Sequence, residues 1–210
     1  MRRGTTTRRA ISALVALGCV GGLGAGVTGC TSRPGPTTTP TPTVTEEPTP
    51  SPTPTPTPAP DASVKPERPA AMDVADSAGA EAAAVYFLQL FPYVFATGDL
   101  EDYRALSHPE CIYCTSVTDG VETMFAARQH SVGGLNTISA VSSTEVDPGR
   151  WWSVDVDLVQ APSQTLDVNG TVIEDFPDTV GYHMDIAVVY ETDRWVVREL
   201  SHTETSREAA

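Results

Sequence analysis

The feature that most restricts this chain is a stretch of alternating proline. Of its 18 prolines, 13 lie between Pro34 and Pro69, many in the run Thr49-Pro50-Ser51-Pro52-Thr53-Pro54-Thr55-Pro56-Thr57-Pro58. Each proline fixes φ and removes a backbone donor, so neither a helix nor an internal strand can run through it. Such a segment is expected to be a disordered, extended spacer of polyproline-II character, reaching about 3 Å per residue, with no side chains to build a core. Folding is thereby confined to the roughly 140 residues that follow, enough for one compact domain.

The charge divides in the same way. Four of the 13 basic residues (Arg2, Arg3, Arg8 and Arg9) precede Cys30, whereas all 27 acidic residues follow it. The part after Cys30 is thus strongly acidic, which argues against nucleic acid as a partner, since that binding needs clustered Lys and Arg. Ahead of the spacer, the basic start, the apolar run from Ile11 to Val27 and the ending Val27-Thr28-Gly29-Cys30 have the form of an export signal. The ending resembles the lipobox of bacterial lipoproteins. That resemblance implies cleavage between Gly29 and Cys30 and a diacylglycerol on the Cys30 sulfur, holding the protein on the outer face of the cell membrane. The apolar run is Gly-rich and shorter than a bilayer span, and Thr7-Arg8-Arg9 only faintly matches a twin-arginine signal. The expected organisation is a signal peptide at 1–29, a lipid-anchored linker at 30–70, a folded domain at 71–206 and a tail at 207–210.

From Ser77 apolar residues recur at helical spacing. Ala80, Ala84, Phe87, Phe91 and Phe95, widened by Leu88 and Val94, predict a helix with one buried face. Ser77 is its expected N-cap, Gly98 its stop, and Pro92 a kink within it. Shorter helices are predicted from Leu100 to Leu106 and from Thr115 to His130, the latter closed by Gly133-Gly134. The period then changes to two. Trp152-Val154-Val156-Leu158 and Tyr182-Met184-Ile186-Val188-Tyr190 alternate with polar residues, as half-buried strands do. Ile138 to Glu145 and Arg194 to Ser201 complete a sheet of at least four strands. Val168-Asn169-Gly170-Thr171 reads as a type I′ hairpin turn in a protruding insert. Three helices followed by a curling antiparallel sheet is an α+β plan.

These residues resemble a family. The helix ending Ala96-Thr97-Gly98-Asp99, the run Ser107-His108-Pro109-Glu110-Cys111-Ile112-Tyr113-Cys114, the Gly133-Gly134 pair and the aromatic strand starts look like a group of actinobacterial lipoproteins whose domain has no assigned function. The resemblance spans about Glu81 to His202. It implies an NTF2-like (SnoaL-like) cone, the fold of ketosteroid isomerase and scytalone dehydratase, a fold that often dimerises through its sheet.

Cys111 and Cys114 are the most compact chemical constellation. In an oxidising compartment the C-x-x-C spacing favours a structural disulfide; a redox pair and a metal pair with His108 are the alternatives. Asp155, Asp157, His183 and Asp185 fall on the polar face of two strands and read as a solvated face balanced by Arg198 rather than as a metal or acid/base cluster. His130 and His202 have no assignable partner. An isomerase-type enzyme requires an inward carboxylate, and none is indicated, so neither a catalytic residue, a cofactor nor a metal is expected. The expectation is a non-enzymatic module for a small apolar ligand or an envelope protein, the ligand held in a cone lined by Tyr86, Phe87, Tyr93, Trp152 and Tyr182. Of the adjacent Trp151 and Trp152, one should face the interior and the other the outside, where apolar surroundings would favour an interface or homodimer and polar ones a pocket.

Overall fold

The computed structural model describes residues 61–209. The signal segment, Cys30 and most of the linker lie outside them. A short 3-10 turn at Ala70–Asp73 leads into α1 (Ser77–Thr97), α2 (Glu101–Ala105) and α3 (Ile112–Ala126), followed by β1 (Gln129–Gly133), β2 (Asn136–Asp147), β3 (Trp151–Gln160), β4 (Ser163–Asp167), β5 (Val172–Phe176), β6 (Thr179–Glu191) and β7 (Arg194–Glu208). Strands β2-β3-β6-β7 form an antiparallel sheet and β1-β4-β5 a smaller one. With the helices packed against the larger sheet, this is the α+β plan expected from the sequence.

Alternation decides which side of each strand meets the helices. Val154, Val156, Ile186, Val188 and Val197 are buried against Ala80, Ala83, Ala84, Phe87 and Val94 of α1. Small alanines along α1 let the helix sit close to the sheet. In the same core Trp152 and Trp195 meet edge to face with ring centroids 5.0 Å apart. The sheet bends where bulges interrupt its register, at Ser139 in β2 and opposite Ala187/Val188 in β7, because an extra residue increases local twist. Although α1 is long and apolar enough to cross a membrane, it is packed within this sheet.

Several expectations need correction. The N-cap of α1 is Asp76 rather than Ser77, its carboxylate accepting from the Gly79 amide at 2.8 Å. Gly98 does end the helix, at φ 74°. The third helix starts earlier and stops at Ala126, because Arg128 turns to φ 58° and His130 enters β1. Gly133-Gly134 therefore closes a strand instead of a helix. The Asp167–Thr171 turn is not type I′: only Gly170 there has positive φ, and the Asp167 carboxylate accepts from the amides of Asn169 and Thr171. A two-residue turn of that hand occurs instead at Thr192-Asp193, φ 53° and 58°, between β6 and β7.

Both domain boundaries move outward. Ala62 and Met72 are buried, the Trp195 indole donates to the Met72 carbonyl at 3.0 Å, and Lys65 bridges Asp102 at 2.9 Å and Asp99 at 3.6 Å. This incoming strap crosses α1 at Gly79, where a Cβ would stand 2.0 Å from the Val74 carbonyl oxygen. At the other end β7 continues to Glu208, with Arg207 paired to Asp178 and Glu204. Residue 207 thus belongs to the sheet rather than to a tail.

Candidate functional site

Aromatic residues on α1 divide between two opposite faces. Residues two apart on a helix lie about 200° apart, so Phe91 and Phe95 face away from Tyr86 and Tyr93. The Tyr86 hydroxyl donates to Asp102 at 2.7 Å and that of Tyr93 to Asp99 at 2.8 Å. Burial, then the Asp102 bond, pushes the Tyr86 phenol up to about 12. Both carboxyls are held below the usual range, Asp102 by Lys65 first and Asp99 by the Tyr93 hydroxyl first. Phe87 stacks on Tyr103 at 4.5 Å, and Trp152 is fully buried against Trp195. Four of the five expected pocket residues, Tyr86, Phe87, Tyr93 and Trp152, therefore build the strap anchor and the core. Tyr182 alone reaches the cavity.

That cavity, of about 330 Å³, is open and lies between α1, α3 and the larger sheet. Leu88, Phe91 and Phe95 of α1, Tyr113 and Val117 of α3, and Leu158, Tyr182 and Met184 of the sheet form its apolar wall, with Ser116, Asn136, Gln160 and His202 as its polar groups. No carboxylate lines it. A second hollow of about 460 Å³ shares Phe91, Phe95, Gln160 and Tyr182 and extends under the β4–β5 hairpin. His202 meets the rings of Tyr182 and Tyr113 edge-on, at 5.6 and 6.3 Å. Burial pushes the Tyr113 phenol up to about 12.

Asn136 has a structural reason to be there. Pro92 has no N–H to give the Leu88 carbonyl four residues back, and the Asn136 Nδ2 supplies one at 2.9 Å. The amide orientation follows, since only the nitrogen can donate. This leaves its buried Oδ1 without a protein partner.

Four lining residues, Tyr113, Val117, Asn136 and His202, carried readable signals. Tyr113, Val117 and Val121 stand four apart on one stripe of α3; His202 shares strand parity with the buried Leu200; Asn136 shares it with Ile138.

Elsewhere, Cys111 and Cys114 form a disulfide, each only 1 % exposed, and Cys111 is the N-cap of α3. The His108 carbonyl accepts from the Cys111 amide at 2.9 Å, but its imidazole is turned elsewhere, with Nε2 3.1 Å from Arg198, which also donates to Glu110 at 2.8 Å. Arg198 thus does not balance the acids on the sheet. Those acids and His183 do come together. His183 Nδ1 lies 2.7 Å from Asp157, and its Nε2 lies 3.7 Å from both Asp155 and Asp185. The Asp157 bond, ahead of any other influence, raises the His183 pKa. Trp151 is 42 % exposed over Ala187 and Val189, and Asp147, Arg150, Glu191, Arg198 and Glu199 surround it.

Strands, helices and cavity together define an α+β domain with an open, largely apolar cavity. Over residues 52–201 the sequence matches the DUF6318 family, a family of unknown function, and the chain belongs to it. No curated protein matches the sequence. Among solved structures, the intermembrane space region of the chloroplast protein ARC6 is similar at 15 % identity and TM-score 0.47, over 62 % of this chain and 98 % of that one. An uncharacterised protein with a cystatin-like fold from Caulobacter vibrioides is similar at 12 % identity and TM-score 0.39, over 61 % and 91 %. A protein described as a putative scytalone dehydratase from Novosphingobium aromaticivorans is similar at 13 % identity and TM-score 0.42, over 61 % and 85 %.

Proposed function

We propose that this protein is a lipid-anchored, non-enzymatic binding module of the cell envelope, in which the cone holds a small, largely apolar molecule at the end of the Pro/Thr spacer. The observation that carries this reading is the open cavity of about 330 Å³, walled by aromatic and aliphatic side chains and free of carboxylates. Small-molecule sites are commonly concave and mostly apolar, with a few polar groups that orient the ligand. Asn136, Gln160 and His202 would serve that purpose here. The lipobox-like Gly29-Cys30 junction supports placement on the extracytoplasmic membrane face.

Two alternatives have less support. A thiol redox role calls for an accessible sulfur, and both sulfurs are buried. Docking of an envelope protein or a second copy through the sheet calls for an apolar patch, and charged groups ring Trp151.

The test uses the full chain in detergent and the neutral fluorophore N-phenyl-1-naphthylamine. Saturable, blue-shifted fluorescence above that of protein-free micelles at the same detergent concentration is expected. Ser116, exposed at the cavity rim, provides the control: S116W should weaken uptake at least about tenfold by filling the mouth without disturbing the core. Equal uptake by S116W, or no saturable uptake, would refute the reading.

A further inference from the structure

On the face of the sheet turned away from α1, Asp155 of β3 is paired in register with Asp185 of β6, and Asp157 with His183. Like charges directly opposed across a strand pair destabilise it. The usual remedy is a neighbouring Lys or Arg, yet none among the described residues lies within ion-pair distance of these three carboxylates. Arg198 is engaged by Glu110, and Arg207 by Asp178 and Glu204. The flanking strands add no charge: the register partners are Ser142 and Ala140 on β2, and Ser201 and Thr203 on β7.

His183 stands at the centre of this group. When the Nδ1–H is donated to Asp157 at 2.7 Å, Nε2 of the neutral ring carries a lone pair, with one oxygen each of Asp155 and Asp185 3.7 Å away. That arrangement is repulsive unless a positive charge, either a proton on Nε2 or a bound cation, lies among the three atoms. A carboxylate on one ring nitrogen, with the other nitrogen left to coordinate, is also how proteins orient a metal-ligating imidazole. The three ligand atoms lie within 4.8 Å of one another, and the partial exposure of all three side chains gives an ion direct access and leaves room for water ligands.

We propose that Asp155, His183 and Asp185 form a one-histidine, two-carboxylate site for a divalent transition-metal ion, with Asp157 as the orienting group. The mixed nitrogen and oxygen donors suit Zn²⁺, Mn²⁺ or Co²⁺ better than Ca²⁺ or Mg²⁺, which take oxygen ligands. This departs from the solvated face expected from the sequence and is independent of the cone. Alternation gives the side of the sheet, whereas strand register brings three acids around one imidazole.

The test is calorimetric titration of ZnCl₂ into the full chain in detergent, without a histidine tag and stripped of metal by chelator, at about pH 7.5, where imidazole is largely neutral. One equivalent should bind saturably, and H183A and D155N/D185N should each weaken binding at least about tenfold. H130A should bind as the parent does, which separates this site from stray histidine coordination. Thermal melts of each variant verify folding, and exposure of the side chains makes retained folding the expected result. Failure of the parent to bind saturably, parent-like binding by H183A, loss of binding in H130A, or equal affinity for Ca²⁺ would each overturn the assignment.

Discussion

Pro92 and Asn136 make one unit although 44 positions separate them. Proline leaves the Leu88 carbonyl without its helical donor, and the asparagine amide fills the gap across the space between helix and sheet. A double-mutant cycle should show this coupling. Truncation by N136A should cost about 1 kcal/mol more with Pro92 present than in a P92A background, where the backbone N–H is restored. Urea unfolding of the four proteins measures the difference, and additive effects would show that the two residues do not cooperate. At this scale the proline was legible as a helix irregularity. Its compensating partner was not, because nothing local to Asn136 in the chain refers to Leu88.

The β6–β7 hairpin poses the corresponding question for an element. Its two turn residues, Thr192 and Asp193, both have positive φ, the hand that matches strand twist in a two-residue loop. A β-branched threonine is poorly suited to that region. Replacing the pair with the residues such turns favour, T192N/D193G, should stabilise the domain by roughly 1 kcal/mol and raise its melting temperature. An unchanged or lower temperature would show that the turn is not strained. The sequence misled here because Asn169-Gly170 has the composition of this turn while occupying a longer loop fixed by the Asp167 carboxylate. Composition states a preference, and the register of the flanking strands chooses where that geometry is required. The helices show a similar division: the apolar stripe and Gly98 marked α1 well, whereas the cap and strap at its start depended on a crossing at Gly79 that appears only in three dimensions.

For the whole molecule, titration links the two charged clusters to stability. Asp99 and Asp102 have lowered pKa values in the folded state, so their contribution is present above the ordinary carboxylate value of 3.8 and is lost as pH falls through the depressed values. His183 behaves oppositely: its pKa is raised from 6.5, so its contribution is full below that value and is lost as pH rises through the folded one. In chelator, which removes metal as a variable, the urea midpoint should therefore be greatest between about pH 4 and 6.5. In H183Q the decline on the alkaline side should be reduced; an unaltered alkaline limb would mean that other groups govern it.

The sequence by itself determined the quantities that depend on neighbours along the chain. The change of hydrophobic period from helical to two separated helices from sheet, and strand alternation put Trp152 inside and Trp151 outside. Tertiary structure decided which inward residues became core and which became cavity. Phase around α1 assigned Tyr86 and Tyr93 to the strap and Phe91 and Phe95 to the opening, and only the position of the sheet reveals that distinction. It also decided the outer face. Asp155, Asp157, His183 and Asp185 are 30 residues apart at most, and their meeting depends on pairing in a register that bulges elsewhere in the sheet help to define. Periodicity is a local property of a chain, whereas a cavity or a ligand cluster depends on separations that only packing sets.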